Sequence, residues 1–377
     1  MSVMKVAIVH ELLTRRGGAE RIARIFADMF PEAPVYTLLY NEKKLGEWIP
    51  KERVRTAKLP VSRFPFPAFI RYNHHLHLRH FPKAVEAWDF SEFDLVLSSS
   101  SAFVHGIITN GNPKHICYIH SPARYLWDSM HEVVQRASQG PLGWLKRQWL
   151  ERTFHALRIW DAESADRPDA LIANSKEVQR RIECYWRHGS NVLYPPIEDF
   201  WMEKDVQKKK KDFYLIVSTL TPYKCIDRAI GACNSLKVPL KIIGEGCDRR
   251  RLQKMAGPTV EFLGYQSNEA VRDLYSQAKA VLFPAKDDFG LVPVEAMACG
   301  APVIALGEGG ALETVQDGET GFFFHEPTAD ALEETMHQTR AISIDPAHCR
   351  AHAKRFGRDR FEKSIRETID MQCVGCT

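Results

Sequence analysis

The sequence predicts an α/β protein of two domains, each an open, doubly wound parallel sheet with helices on both faces. Three observations predict it. Short apolar runs that read as buried strands alternate with helical stretches along the chain, which implies parallel sheets and right-handed crossovers. Polar loops, several bearing glycine, follow those strands at their carboxyl ends, where open parallel sheets bind ligands. Near the middle, Tyr194-Pro195-Pro196 and then Glu203 to Asp212, with lysines from Lys208 to Lys211, break the alternation and read as a solvated linker. The expected domains are therefore residues 1–200 and 201–355. At 377 residues the chain is long enough for two cores.

Composition narrows the function classes. An apolar fraction of 45% and a charged fraction of 26% describe an ordinary globular protein. A net charge of +4 is too mild to imply nucleic acid by itself. The amino terminus reads as a first strand rather than a signal peptide. Leu95 to Pro113 has no acid or base, but its serines, asparagines, threonine and histidine exclude a membrane span. Nine scattered cysteines suggest a reducing compartment. Cys373 and Cys376 form a lone pair at the terminus, too little for a zinc site.

The elements follow in order. Val3 to Val9 is an apolar strand, and His10 to Gly18 is the loop before a helix from Ala19 to Met29. The pair Gly17-Gly18 either lets backbone approach an anion or makes a tight turn, and the residues alone favour neither. Pro60 to Trp88 interleaves Phe64, Phe66, Phe69, Tyr72 and Phe81 with Arg63, Arg71, Arg79 and Lys83. Such a stretch suits single-stranded nucleic acid, an anionic bilayer surface, or a helical excursion with its aromatics in the core. Gln139 to Trp160 carries Trp144, Trp149 and Trp160 among Lys146, Arg147, Arg152 and Arg158, and adds to the same surface. Asp94 to Ser99 and Lys114 to Ile119 are strands, the second followed by His120-Ser121-Pro122-Ala123-Arg124-Tyr125-Leu126-Trp127. Ala170 to Ala173 is another strand, with Asn174-Ser175 capping the next helix.

In the second half, Phe213 to Ser218 is a strand and Ile226 to Leu236 a helix, with Lys224 in the turn between them, where an ammonium can meet a diphosphate. Lys241 to Gly246 is a strand ending in a glycine turn that contains Gly244 and Glu245. Val260 to Gly264 is a strand and Asn268 to Gln277 a helix. The most informative stretch runs from Ala280 to Ile304. Ala280 to Phe283 is a buried strand stopped by Pro284, and Gly290 introduces a helix from Leu291 to Ala298 that tolerates Pro293 only in its first turn. Gly300-Ala301-Pro302 ends that helix before the next strand. Free N–H groups near Gly290-Leu291 suit a phosphate, and Asp287 and Glu295 can bracket a polyhydroxylated ligand.

The segment DDFGLVPVEAMACGAPVIA, with Gly309-Gly310 and the Asp317-Gly318 turn beyond it, resembles the Glu-x(7)-Glu signature of retaining GT-B glycosyltransferases of family four. The resemblance implies two Rossmann-like domains facing across a cleft, the final helix (356–377) packing back on the first. It implies that Asp287, standing where the first Glu is usual, contacts donor-sugar hydroxyls, and that Glu295 contacts the nucleotide ribose. Gly17, Gly18, Lys224, Gly244, Glu245, Phe289, Gly290 and Leu291 complete the expected donor site, with Lys224 nearly alone in charge because Thr219 stands at the usual arginine position. His-Ser-Pro-x-Arg-Tyr resembles mannosyltransferase-like members, which places His120 beside the donor sugar and Arg124, Tyr125 and Trp127 toward the acceptor. The expected catalytic set is His120, Lys224 and Asp287. The expected reaction moves a hexose, foremost mannose from GDP-mannose, onto a glycan or lipid-linked acceptor, with no metal and no other cofactor. The expected setting is the inner face of the cell membrane, in peripheral contact with anionic lipid and without nucleic acid. A UDP-sugar transferase, a nucleotide-sugar epimerase and a non-catalytic nucleotide-sugar-binding partner are the alternatives.

Overall fold

The computed structural model describes residues 4–59, 77–140, 142–203 and 210–373. Two compact units make up the chain, Met1–Leu193 with Glu362–Thr377, and Tyr194–Phe361. The division lies before the Tyr194-Pro195-Pro196 segment rather than after it. The reason is packing: Ile197 and Trp201 are buried in the core of the second unit, and the Ile197 amide donates to the Phe356 carbonyl at 2.9 Å. Of the expected aromatic and basic stretch, residues 60–76 lie outside the described residues, as do Lys208 and Lys209 of the linker and Cys376.

The first unit holds a seven-stranded sheet. Its strands are β1 (Val6–Leu13), β2 (Val35–Tyr40), β3 (Val54–Thr56), β4 (Leu95–Ser100), β5 (Lys114–Ile119), β6 (Ala170–Ala173) and β7 (Asn191–Val192). They run in the order β3-β2-β1-β4-β5-β6-β7, every pair parallel. Helices cover both faces, so the central strands carry apolar side chains on both sides and read as continuous hydrophobic runs. All of β4 is buried, including Ser98, Ser99 and Ser100. Those hydroxyls are tolerated there because each meets a polar partner; Ser98 Oγ, for instance, lies 2.7 Å from His115 Nε2. The order reverses between β1 and β4, which makes their carboxyl ends the place where such a sheet leaves room for a ligand.

Helix Gly18–Met29 buries Ile22, Ile25 and Phe26. Helix Lys176–Trp186 starts as expected, Ser175 Oγ accepting from the Val178 amide at 3.1 Å. Helix Gly143–Glu163 buries Leu150, Phe154 and Leu157 in a core shared with Phe81, Phe90 and Phe103. Phe81 therefore belongs to the interior, the core alternative for that part of the stretch. The opposite side of the same helix leaves Trp144 62% and Trp149 47% exposed.

The second unit holds six strands, β8 (Tyr214–Val217), β9 (Leu240–Ile243), β10 (Val260–Gly264), β11 (Ala280–Phe283), β12 (Val303–Leu306) and β13 (Gly321–Phe324). Their order is β10-β9-β8-β11-β12-β13, again all parallel, so the switch point lies between β8 and β11. Every residue of β11 is buried. Val281, Leu282 and Phe283 each contribute about 1.5–3 kcal/mol by leaving water, which pins the loop that follows them to a rigid base. The final helix, Arg358–Cys373, begins in this unit and continues into the residues that group with the first.

Candidate active site

In the second unit the switch point brings together two side chains that are 63 positions apart in sequence. After β8 the chain makes one 3₁₀ turn, Pro222–Lys224, and Cys225 takes a left-handed conformation (φ 50°) before helix Ile226–Leu236. That turn aims Lys224 across the sheet edge, where its Nζ lies 2.5 Å from Asp287 Oδ2. Both side chains are largely shielded, and the Tyr223 ring lies 5.1 Å from the ammonium. Arg228, one helical turn on, donates to the Pro284 carbonyl at 3.0 Å and ties the helix to the end of β11.

The loop that carries Asp287 is held by two glycines from the turn after β12. Gly309 pairs with Asp287 in an isolated parallel bridge, and the Gly310 amide donates to the Asp287 carbonyl at 2.9 Å. A Cβ on Gly310 would stand 2.3 Å from Phe289 Cα, so a larger residue would push the loop away. Phe289 is 4% exposed and stacks on Tyr194, with ring centroids 5.5 Å apart. Its side chain anchors the loop in the core. Gly290 adopts φ 88° and starts helix Leu291–Ala298, where it offers no side chain to cap the first-turn amides. Glu295 follows within that helix and is buried.

The turn after β9 approaches the same sheet edge. Gly244 has φ 130°, and a Cβ there would stand 1.9 Å from the Ser218 carbonyl oxygen, so only glycine fits. Glu245 forms an exposed ion pair with Arg249 at 2.5 Å.

In the first unit, the start of helix Gly18–Met29 already holds a side-chain carboxyl group. Glu20 is 5% exposed, and its carboxylate accepts from the backbone amides of Gly17 and of Glu20 itself, closing a cap on the first turn. Burial pushes its pKa up, offset in part by those amides and by Arg15. Glu11, in β1, has the same character. Its carboxylate accepts from the amides of Ser101 at 2.9 Å and Val104 at 3.3 Å, and also from those of Ala102 and Phe103. Its pKa is raised by burial, the amides opposing.

His120 follows β5 and keeps some exposure. Its Nε2 lies 2.7 Å from Ser99 Oγ on β4, and that hydroxyl lies 3.2 Å from His10 Nδ1 on β1. The surrounding protein pushes the His120 imidazole down to about 3, with a smaller contribution from His10, which burial itself lowers to about 4. Both rings are neutral at pH 7.

The expected acceptor residues are built into the interior to different degrees. Arg124 is half-buried. Tyr125 packs against the first core with its ring 5.8 Å from that of Phe154. Trp127 stacks flat on Tyr185 (4.9 Å, 7°) and donates its indole N–H to Asp161 Oδ2 at 2.8 Å. Sequence reasoning missed His10, Glu11, Glu20, Ser99 and Asp161 as parts of these arrangements. The Glu three positions after Gly17 was the one local signal among them, a capping pattern.

Among the described residues no group of three or more His, Cys, Asp or Glu side chains could hold a metal ion. No helix among them is long and apolar enough to cross a membrane.

Residues 197–356 match the model of the family described as glycosyl transferases group 1. A GDP-mannose-dependent alpha-mannosyltransferase of Mycobacterium tuberculosis is 31% identical over 201 residues, 50% of this chain and 52% of that protein. A D-inositol 3-phosphate glycosyltransferase of Mycobacteroides abscessus is 27% identical over 271 residues, 58% of this chain and 60% of that one. The chain thus spans little more than half the length of these curated relatives. In fold it is similar to Anabaena Alr3699/HepE, solved in complex with UDP, with a TM-score of 0.70 at 17% identity over 98% of this chain and 100% of that one. The chain has the GT-B fold, and its residues 197–356 are similar to the glycosyl transferases of group 1.

Proposed function

We propose that the protein is a retaining glycosyltransferase that moves a hexose from a nucleotide-sugar to a glycan or lipid-linked acceptor, with mannose from GDP-mannose as the donor. The observation that carries this reading is the Lys224–Asp287 pair at the switch point of the second sheet, beside the uncapped helix start at Gly290. An ammonium and free backbone amides on one rigid edge neutralise a leaving diphosphate. The carboxylate of Asp287 and, within the helix, that of Glu295 accept hydrogen bonds from sugar and ribose hydroxyls. Donor binding then trades the Lys224–Asp287 contact for a diphosphate on one side and sugar hydroxyls on the other.

In the proposed reaction the bond from the anomeric carbon to the diphosphate oxygen breaks. The acceptor oxygen bonds that carbon on the same face, and its proton passes to the departing diphosphate. The protein positions the partners and stabilises charge. Lys224 and the backbone amides supply the positive charge, so this reading needs no metal, and chelation should leave turnover unchanged. The relative named as GDP-mannose-dependent supports the donor choice. Exposed Leu142, Trp144, Leu145 and Trp149 beside Lys146 and Arg147 support peripheral contact with an anionic membrane at the cytoplasmic face.

The test is a transfer assay with membrane extract and radiolabelled GDP-mannose, UDP-glucose or UDP-galactose. Mannose incorporation from GDP-mannose is the expected result. Incorporation from a UDP-sugar alone would move the donor assignment. Conversion of the donor without an acceptor would indicate an epimerase, and binding without turnover a non-catalytic partner. Vesicles of anionic lipid should retain the protein, and neutralising Lys146 and Arg147 should release it. Equal retention by neutral vesicles would count against the membrane contact.

A further inference from the structure

We infer that Ser99 and His10 are positioning residues that hold His120 as a neutral imidazole with its proton on Nδ1, so that His120 presents an N–H donor to its ligand. The inference rests on hydrogen-bond arithmetic. His10 Nδ1 lies 3.1 Å from the Ser99 carbonyl oxygen. A carbonyl has no proton to give, so His10 Nδ1 must carry one. The same N–H faces Ser99 Oγ at 3.2 Å, so toward His10 the hydroxyl acts as an acceptor.

The hydroxyl's own hydrogen then needs an acceptor. Ser99 is fully buried, and among the described residues the one remaining partner of its Oγ is His120 Nε2 at 2.7 Å. If His120 Nε2 carried the proton instead, the Ser99 hydrogen would be left buried without a partner, which is costly. Ser99 therefore donates to a bare Nε2, and a neutral ring bare at Nε2 carries its proton on Nδ1. The low basicity of His120 agrees, because it disfavours the doubly protonated ring.

The three residues sit on β1, β4 and just past β5, at the carboxyl edge of the sheet beside its own switch point. His10 and Ser99 are buried while His120 is partly exposed. Among the described residues no hydrogen-bond partner meets His120 Nδ1, so that N–H is available to a ligand. A donor of this kind selects a sugar or phosphate oxygen. It cannot take the acceptor's proton at Nδ1, where a proton already sits. This role depends on the reading of His120 as a donor-sugar residue given above; the tautomer does not.

The experiment uses the full chain with ¹⁵N-labelled histidine and long-range proton–nitrogen correlation at pH 7, the His120 signals being assigned from their loss in His120→Gln. The expected pattern is a protonated Nδ1 and a bare Nε2. Ser99→Ala should shift His120 toward the Nε2–H form, and Ser99→Thr, which keeps the hydroxyl, should restore the Nδ1–H form. His10→Leu, which lifts the donor from Ser99, should mix the two. A wild-type His120 protonated on Nε2, or a tautomer unmoved by Ser99→Ala in a folded variant, would overturn the inference. GDP-mannose should then shift the Nδ1 resonance. The Nδ1–H tautomer with no response to any nucleotide-sugar would leave the relay standing and refute the ligand role.

Discussion

Asp161 offers a test of how the first unit holds its aromatic residues. Its side chain is completely buried, and one oxygen accepts the indole N–H groups of both Trp127 (2.8 Å) and Trp186 (2.7 Å). The His105 ring stacks on Trp186 at 4.6 Å. Burial pushes the Asp161 carboxyl up to about 7, the two indole bonds opposing. In the unfolded chain an aspartate ionises near 4. Between those values the folded state binds a proton that the unfolded state has released, so this group's contribution to stability falls as pH rises from about 4 to about 7. The slope is about 1.4 kcal/mol per pH unit, or about 4 kcal/mol across the span. Below the lower value and above the upper one it is flat.

Four histidines, three of them buried and His120 partly so, work in the opposite sense. Burial lowers His10 and His105 to about 4 and His115 to about 3, and the protein around His120 lowers it to about 3. Their contribution is present above the unfolded value near 6.5 and is lost as pH falls through those lower values. The wild-type profile mixes both limbs, so the informative quantity is a difference. Asp161→Asn keeps an oxygen for both indoles and removes the charge. Urea unfolding followed by tryptophan fluorescence, at intervals from pH 4 to pH 8, should show the variant gaining on the wild type by up to about 4 kcal/mol. A difference that stays constant with pH would refute a raised Asp161.

Lys224→Ala removes a preorganised cation from developing charge and should lower kcat by about two to three orders of magnitude; near-normal turnover would take Lys224 out of the mechanism. Glu295→Ala should weaken nucleoside-diphosphate binding by roughly 10- to 100-fold, the value of a hydrogen bond to a charged group, and unchanged affinity by calorimetry would refute the ribose assignment. Gly310→Ala would force a Cβ to 2.3 Å from Phe289 Cα. It should displace the Asp287 loop and weaken donor binding while leaving the first unit's unfolding unchanged; wild-type donor affinity would show that the loop does not depend on that close approach.

Much of the fold was legible because strands buried on both faces leave a simple trace. Lys114–Ile119, Ala170–Ala173, Val260–Gly264 and Ala280–Phe283 stand where apolar runs bounded by polar or glycine residues placed them. Helices Ile226–Leu236, Asn268–Gln277 and Leu291–Ala298 also coincide with the reading. β2 was missed although Val35 to Tyr40 is an apolar, aromatic run between Pro34 and Asn41, a signal that was available. β3 and β7, with three and two residues, are too short to carry a pattern. β1 runs to Leu13 rather than ending at Val9, because His10 and Glu11 look like loop residues until their buried partners are known.

The same limit applies to the site. Lys224, Asp287 and Glu295 were legible as residue types at strand and helix ends, but that Lys224 and Asp287 touch depends on β8 and β11 being neighbours. Ser99 reads as one of several serines, and its link to His10 crosses 89 positions of sequence. Such contacts are properties of sheet order, and local patterns do not record them.

The central claim is that Lys224 and Asp287 form the donor's seat. Calorimetric titration of GDP-mannose into the wild type, Lys224→Ala and Asp287→Ala tests it most directly. The account predicts saturable binding to the wild type that each substitution weakens at least about tenfold, the loss of a charge-assisted contact. Equal affinity in all three, or no binding of any nucleotide-sugar to the wild type, would contradict it.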